Sequence, residues 1–299
     1  MNITVKKTGG FLRSNWAYLI WFALYFSFTV IILELFVNDL KITLLYSCLL
    51  YIVSVGIALS PMGESIARIL ENARPLRTQN EMNYLNPIFQ EVYQEALKCT
   101  PTLNKDIQLY ISDSMIINAY ALGRKTVILT AGAIEVFSAE ELKGILSHEL
   151  GHHANGDTKA LLIKVVGNAI FTIAVFVLQI LLAFINSITF SVAGKNIVLL
   201  VVAFIVYIFK MLIDVFVFLF LSLGEIIIAF NSRYSELLAD KYAYHTGYGQ
   251  ELINALYILS KISLPSNMSL TDKLKSSHPH ITARISQLEQ FYHNGLVHL

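Results

Sequence analysis

Four long apolar runs constrain this chain more than any other feature. Trp16 to Val37, Ile42 to Ser60, Leu161 to Ile185 and Ile197 to Phe230 each approach or exceed the ~20 residues that a helix needs to cross a bilayer. In hydrocarbon every backbone donor and acceptor must be paired within the element, so such runs become helices. The composition agrees, with 55% of residues hydrophobic and 14% charged, against about a quarter charged in an ordinary soluble domain. A net charge of +1 gives no reason to expect nucleic acid as a partner. The lipid bilayer is the partner this pattern implies.

Lys6, Lys7 and Arg13 precede the first run, and Arg68, Arg74 and Arg77 follow the second, with Lys41 alone between the two. That asymmetry places both outer flanks on the cytoplasmic side. The first run is longer than the apolar core of a signal peptide and no small-residue cleavage site follows, so it reads as a span. Trp16, Tyr18 and Trp21 fall where an interfacial aromatic belt would lie. The fourth run, about 34 residues or roughly 50 Å as a helix, is longer than the hydrocarbon core and must project or tilt. Lys210 and Asp214 interrupt it at i,i+4 spacing, where each neutralises the other. Cys48 and Cys99 lack any C-x-x-C spacing and read as free thiols.

Between the second and third runs lies a polar segment. Thr78 and Glu81 have capping-box spacing ahead of a helix over Met82 to Lys98, which Pro101 ends. Ile107 to Ile111, Asn118 to Ala121 and Thr126 to Thr130 are short β-rich runs separated by turns, expected to form a small antiparallel sheet. Ser138 and Glu141 make a second capping box, which starts a helix over about Ala139 to Ala154, with Asn155-Gly156 as its stop.

That helix carries Ser147 to Asp157, S-H-E-L-G-H-H-A-N-G-D. His148 and His152, one helical turn apart, project from one face, so two imidazole nitrogens can converge on one zinc ion with Glu149 beside them. A catalytic zinc takes three protein ligands and keeps one open position. The metzincin route needs a third histidine at 158, and that residue is Thr158. A glutamate from a later helix is the other route. Glu236 is best placed, because its helix emerges from the fourth run on the same side of the membrane. Asp240, one turn on, could fix the outer nitrogen of a zinc-bound histidine. Spacing alone equally allows Glu236 and Asp240 to form an exposed acidic face. Ser232 or Ser235 could cap their helix, and further helices follow at about Gln250 to Ile262 and Pro279 to Tyr292. His153 lies about 140° around from His148 and so outside the ligand set. Asp157, after the Asn-Gly break, reads as a cap or loop residue.

Three blocks in order, H-E-L-G-H-H-A-N-G-D, S-R-Y-S-E-L-L-A-D and S-H-P-H-I-T-A-R-I, resemble the signature of the HtpX-like membrane zinc metalloproteases, relatives of the CAAX prenyl proteases. Asn118, Ala119, Tyr120 and Ala121 resemble that family's cleft-edge strand. The resemblance implies one Zn2+ per subunit on His148, His152 and Glu236, with Glu149 as general base, Asp240 as acidic partner, and His278 and Arg284 near the active site. His278, or else Tyr244, would stabilise the oxyanion. The second block departs from the family's common form, lacking its second arginine and its tyrosine around Tyr234 to Leu237.

The fold class expected is mainly α with a small β-sheet, an integral membrane protein with four transmembrane helices and a cytoplasmic zincin-like (gluzincin) metallopeptidase domain. Residues 1–60 would form the first membrane hairpin, 61–158 the first part of the peptidase domain, 159–230 the second hairpin and 231–299 the second part. The function expected is zinc-dependent endoproteolysis at the cell membrane, with both termini cytoplasmic and misfolded membrane or cytosolic polypeptides as substrates in quality control. Processing of lipid-modified chains and an inactive sensor or scaffold are the alternatives.

Overall fold

The computed structural model describes residues 15–164, 169–262 and 280–293. Four helices among them are long and apolar enough to cross a membrane. They are α1 (Trp16–Val37), α2 (Leu40–Leu59), α8 (Ala169–Ala193) and α9 (Ile197–His245). Asp39 caps α2 by accepting from the backbone nitrogens of Lys41 and Ile42, and Asn196 caps α9 in the same way through Val198 and Leu199.

Between the two helical pairs run α3 (Pro61–Leu70), β1 (Ala73–Pro75), α4 (Gln79–Cys99), β2 (Gln108–Ser112), β3 (Ala119–Leu122), β4 (Thr126–Thr130), α5 (Ala131–Val136), α6 (Ala139–Asn155) and α7 (Asp157–Leu162). After α9 come α10 (Gly249–Ile262) and α11 (Ile281–His293). Both capping boxes are formed. The Thr78 hydroxyl accepts from Glu81 N at 3.1 Å and Glu81 accepts from Thr78 N at 3.1 Å. Ser138 and Glu141 repeat the exchange at 3.4 and 2.8 Å. Each satisfies two of the amides that a helix start leaves unpaired.

The sheet differs from the expected antiparallel one. Its order is β1-β2-β4-β3, and β2 and β4 run parallel. The β3–β4 hairpin is antiparallel as expected, but β4 inserts beside β2 and leaves β3 at the edge. Thr126 to Thr130 is buried throughout, which is how a strand paired on both sides reads. The core joins Leu85, Phe89 and Val92 of α4 with Val127 and Leu129 of β4 and Leu142, Leu146 and Leu150 of α6. Each such side chain contributes about 1.5–3 kcal/mol on burial.

Three further expectations need correction. The third apolar helix runs past Ile185 to Ala193; Ser191, whose hydroxyl donates to Ser187 O at 2.9 Å, is still helical, and Gly194, at φ 51°, makes the turn. No separate helix begins at Asn231. Helix α9 continues unbroken for 49 residues, roughly 74 Å at 1.5 Å per residue, so neither Ser232 nor Ser235 is a cap. The aromatic belt is also partly wrong. Trp16 is exposed, but Tyr18 and Trp21 are buried, with the Trp21 ring tilted 35° against Phe220 at 5.0 Å between ring centroids and packed into the space that a Cβ on Gly224 would fill. The Lys210–Asp214 pair forms as expected, at 2.5 Å.

Candidate metal centre and active site

Helix α6 delivers His148, Glu149 and His152, and the far end of α9 delivers Glu236 and Asp240. The two helices meet closely because residue 151 is glycine. A Cβ there would lie 3.0 Å from both Ala239 Cα and Tyr242 Cβ. Across this contact His148 Nε2 stands 3.4 Å from one oxygen of Glu236 and His152 Nε2 stands 3.6 Å from the other.

The outer nitrogens are held as well. His148 Nδ1 is 2.9 Å from Asp240, and His152 Nδ1 is 3.1 Å from Asp157. In the tautomer that donates Nδ1–H to these carboxylates, both imidazoles turn the lone pair of Nε2 towards Glu236. Arg284 of α11 closes the group. Its Nε donates to Asp240 at 2.8 Å, and its Nη1 is 3.1 Å from Glu236. Asp240 is fully buried, and His148, Glu149, Asp157, Glu236 and Arg284 are each under a tenth exposed.

Electrostatics follow from this crowding. Burial and the Arg284 charge would pull the His148 pKa down, but Asp240 and Glu236 outweigh them and it rises. Burial would also lower His152, yet Asp157, Glu236 and the Glu149 charge hold it well above its ordinary value. Burial disfavours the Arg284 cation less than Asp240, Glu236 and Glu149 favour it, so the guanidinium stays charged. Four buried carboxylates thus stand around two imidazoles, answered at close range by one arginine. Such an excess of negative charge attracts a cation.

The donor set fits a metal ion. One atom each from His148, His152 and Glu236 lie within 4.8 Å of one another. Tetrahedral zinc with bonds near 2.0–2.1 Å sets its ligands about 3.3–3.5 Å apart, close to the observed imidazole–carboxylate spacings.

A cavity of about 660 Å³ opens onto this group. His148, Glu149, His152, Glu236 and Arg284 line it, together with Asn118, Ala119, Tyr120 and Ala121. The structure therefore brings the expected cleft-edge residues to the same cavity as His148, His152 and Glu236, with β3 as a sheet edge able to accept an added strand. His278 lies outside the described residues. Tyr244 is directed elsewhere, its hydroxyl donating to Phe291 O at 3.2 Å.

Two parts of the site escaped the sequence reading. Asp157 is no bystander, because Gly156, at φ 84°, breaks α6 for a single residue and α7 restarts with Asp157 turned back on His152. The spacing of five from His152 was the available signal. Tyr18 of α1 and Glu225 of α9 also line the cavity, so a wall of the cleft is built from helices that sequence periodicity marks only as apolar. His153 braces the β3–β4 turn instead. Its Nε2 meets Thr126 O at 2.9 Å, and burial lowers its pKa to about 4.

Comparison with known proteins agrees with this geometry. Residues 80–291 match peptidase family M48. The chain is 26% identical over 231 residues to "Protease HtpX" of Shewanella oneidensis, spanning 71% of this chain and 75% of that protein. It is 34% identical over 112 residues to a "Protease HtpX homolog" of Bacteroides fragilis, spanning 36% and 33% of the two chains. The crystal structure of S. mikatae Ste24p superposes with a TM-score of 0.51 at 20% identity, over 92% of this chain and 63% of that one. That likeness speaks for the fold alone, and this chain spans under two thirds of that protein's length. With more than half its residues matched in order, from the capped helix α4 to the end of α11, the chain belongs to peptidase family M48 and is a membrane metalloprotease.

Proposed function

We propose that this protein is a zinc-dependent endopeptidase whose metal is held by His148, His152 and Glu236, and that it cuts misfolded or damaged polypeptides at the membrane. The observation that carries the reading is the convergence of both Nε2 atoms on the two oxygens of Glu236, at 3.4 and 3.6 Å. Zinc, when bound, supplies Lewis acidity and brings the pKa of a water towards neutrality.

The chain's own groups do the rest. Glu149 takes the proton from the attacking water on its carboxylate and returns it to the departing amine nitrogen. Asp240 and Asp157 hold His148 and His152 in the tautomer with a free Nε2, and Arg284 keeps Asp240 ionised and in place. A substrate in extended form pairs its backbone with the free edge of β3, which runs past the metal-binding group along Ala119 to Ala121. We assign 61–158 and 231–299 to one peptidase unit and 1–60 and 159–230 to two membrane hairpins. The arginines after α2 favour a cytoplasmic position for that unit.

Replacing Glu149 with Gln tests the mechanism. Cleavage of casein should fall by about a hundred- to ten-thousandfold, since the general base and its charge are both lost, while the metal content measured by mass spectrometry stays at one ion per chain. Undiminished cleavage would remove Glu149 from this role. The same variant used as a trap in native membranes distinguishes substrates: recovery of lipid-modified chains alone would favour a processing protease instead.

A further inference from the structure

Helix α3 has its polarity inside out. Its apolar residues Met62, Ile66, Ile69 and Leu70 are exposed, with Ile69 at 74%. They share one stripe at i, i+4, i+7 and i+8. The opposite side, Gly63, Glu64 and Ala67, is buried against the protein. A surface helix in water is arranged the other way round, with its apolar stripe on the core.

The position of α3 explains the inversion. Ser60 is at once the C-cap of the membrane helix α2 and the N-cap of α3, where its hydroxyl accepts from Gly63 N. The exposed stripe thus begins within two residues of a span's end, continuous with a surface that already faces lipid. We propose that α3 lies in the membrane plane with Met62, Ile66, Ile69 and Leu70 seated at the headgroup–acyl boundary of the bilayer that α2 crosses, the interfacial mode of an amphipathic helix.

The buried side of α3 gives this contact a consequence at the cleft. Glu64 accepts from Lys125 N at 2.9 Å, Arg124 N at 3.3 Å and the Thr126 hydroxyl at 2.6 Å. Its carboxylate fills the space beside Gly123, which is held at φ 61°. From the other side the Thr158 hydroxyl donates to Gly123 O at 2.6 Å. The β3–β4 turn is therefore clamped between the lipid-seated helix and α7, and the cleft edge β3 is held at a fixed height above the bilayer.

The test uses the full chain with Cys48→Ala and Cys99→Ala, carrying one spin label at Met62→Cys, Ile69→Cys or, as a water-facing control, Lys105→Cys. In nanodiscs of phosphatidylcholine and phosphatidylglycerol, labels at 62 and 69 should collide with oxygen several-fold more, and with a water-soluble nickel chelate several-fold less, than the label at 105. Equal nickel access at 69 and 105 overturns the proposal. So does shielding of 69 from both reagents with spin–spin broadening, which would mark a second copy as the occupant. A separate measurement addresses the clamp. In the Ile66→Glu/Ile69→Glu variant the amides of Arg124 and Lys125 should exchange with deuterium several-fold faster, and unchanged exchange there overturns the link to the cleft edge.

Discussion

Asp157 stands one residue beyond the left-handed Gly156, and its carboxylate reaches back 3.1 Å to Nδ1 of His152. Asp240 does the same for His148 at 2.9 Å, so each imidazole has its own carboxylate. Groups in this position fix ring orientation and tautomer, and their loss costs about 10–100-fold in metal affinity. Asp157→Ala should weaken zinc retention by that factor in a chelator competition, and activity should recover at saturating zinc. Retention equal to wild type would mean that His152 is oriented by something else. At this scale the sequence was informative wherever one helix carries the pattern. His148 with His152, one turn apart, were readable as a pair, whereas the spacing of Glu236 and Asp240 equally allowed an exposed acidic face and it was the family resemblance that singled them out. Asp157 was not readable, because its contact crosses a one-residue break whose left-handed geometry turns the chain back, and an Asn-Gly pair announces only that a helix stops.

Helix α9 carries the site's second half on the same continuous helix whose first part is long and apolar enough to cross a membrane. The apolar run was legible, but its end was not. Polar residues from Asn231 onward mark where hydrocarbon contact ceases, and hydrogen bonding along a helix is indifferent to that change. The sheet was half legible for a related reason. Alternation and turns located the strands and their hairpin, but which strand sits beside β2 is decided by packing, and β4, with five buried residues in a row, takes the inner place. A continuous α9 has a mechanical consequence. One alanine inserted between Phe230 and Asn231 turns everything downstream by about 100° and shifts it by about 1.5 Å, carrying Glu236 off the face that meets His148 and His152. Bound zinc per chain should drop to background, whereas an alanine inserted between Gly194 and Lys195, in the turn before α9, should leave it unchanged. Full metal occupancy in the first variant would show that the helix is not one rod.

The molecule as a whole joins two segments through one small site. His148 and His152 come from α6, Glu236 from the far end of α9, with α8 between them in the chain, and Arg284 from α11 near the end of the chain. Much of the join is already apolar, since Gly144 lies so close to α10 that a Cβ would meet Leu252 N, and Tyr242 of α9 shares a core with α4 and α6. The polar centre is different in kind. Buried carboxylates of like charge repel one another unless a cation lies among them, so metal and fold should stabilise each other. A ligand that binds only the folded state at 1,000 times its dissociation constant adds about 4 kcal/mol, which for a domain of this size corresponds to a rise of about 10 °C in Tm. Detergent-solubilised protein stripped by chelator should melt lower by about that amount and recover on adding zinc. Glu149→Gln should keep the full shift and His148→Ala or Glu236→Gln should lose most of it. A chelator-insensitive Tm in the wild type would show that packing alone holds the two segments together and that the carboxylates are already balanced within the chain.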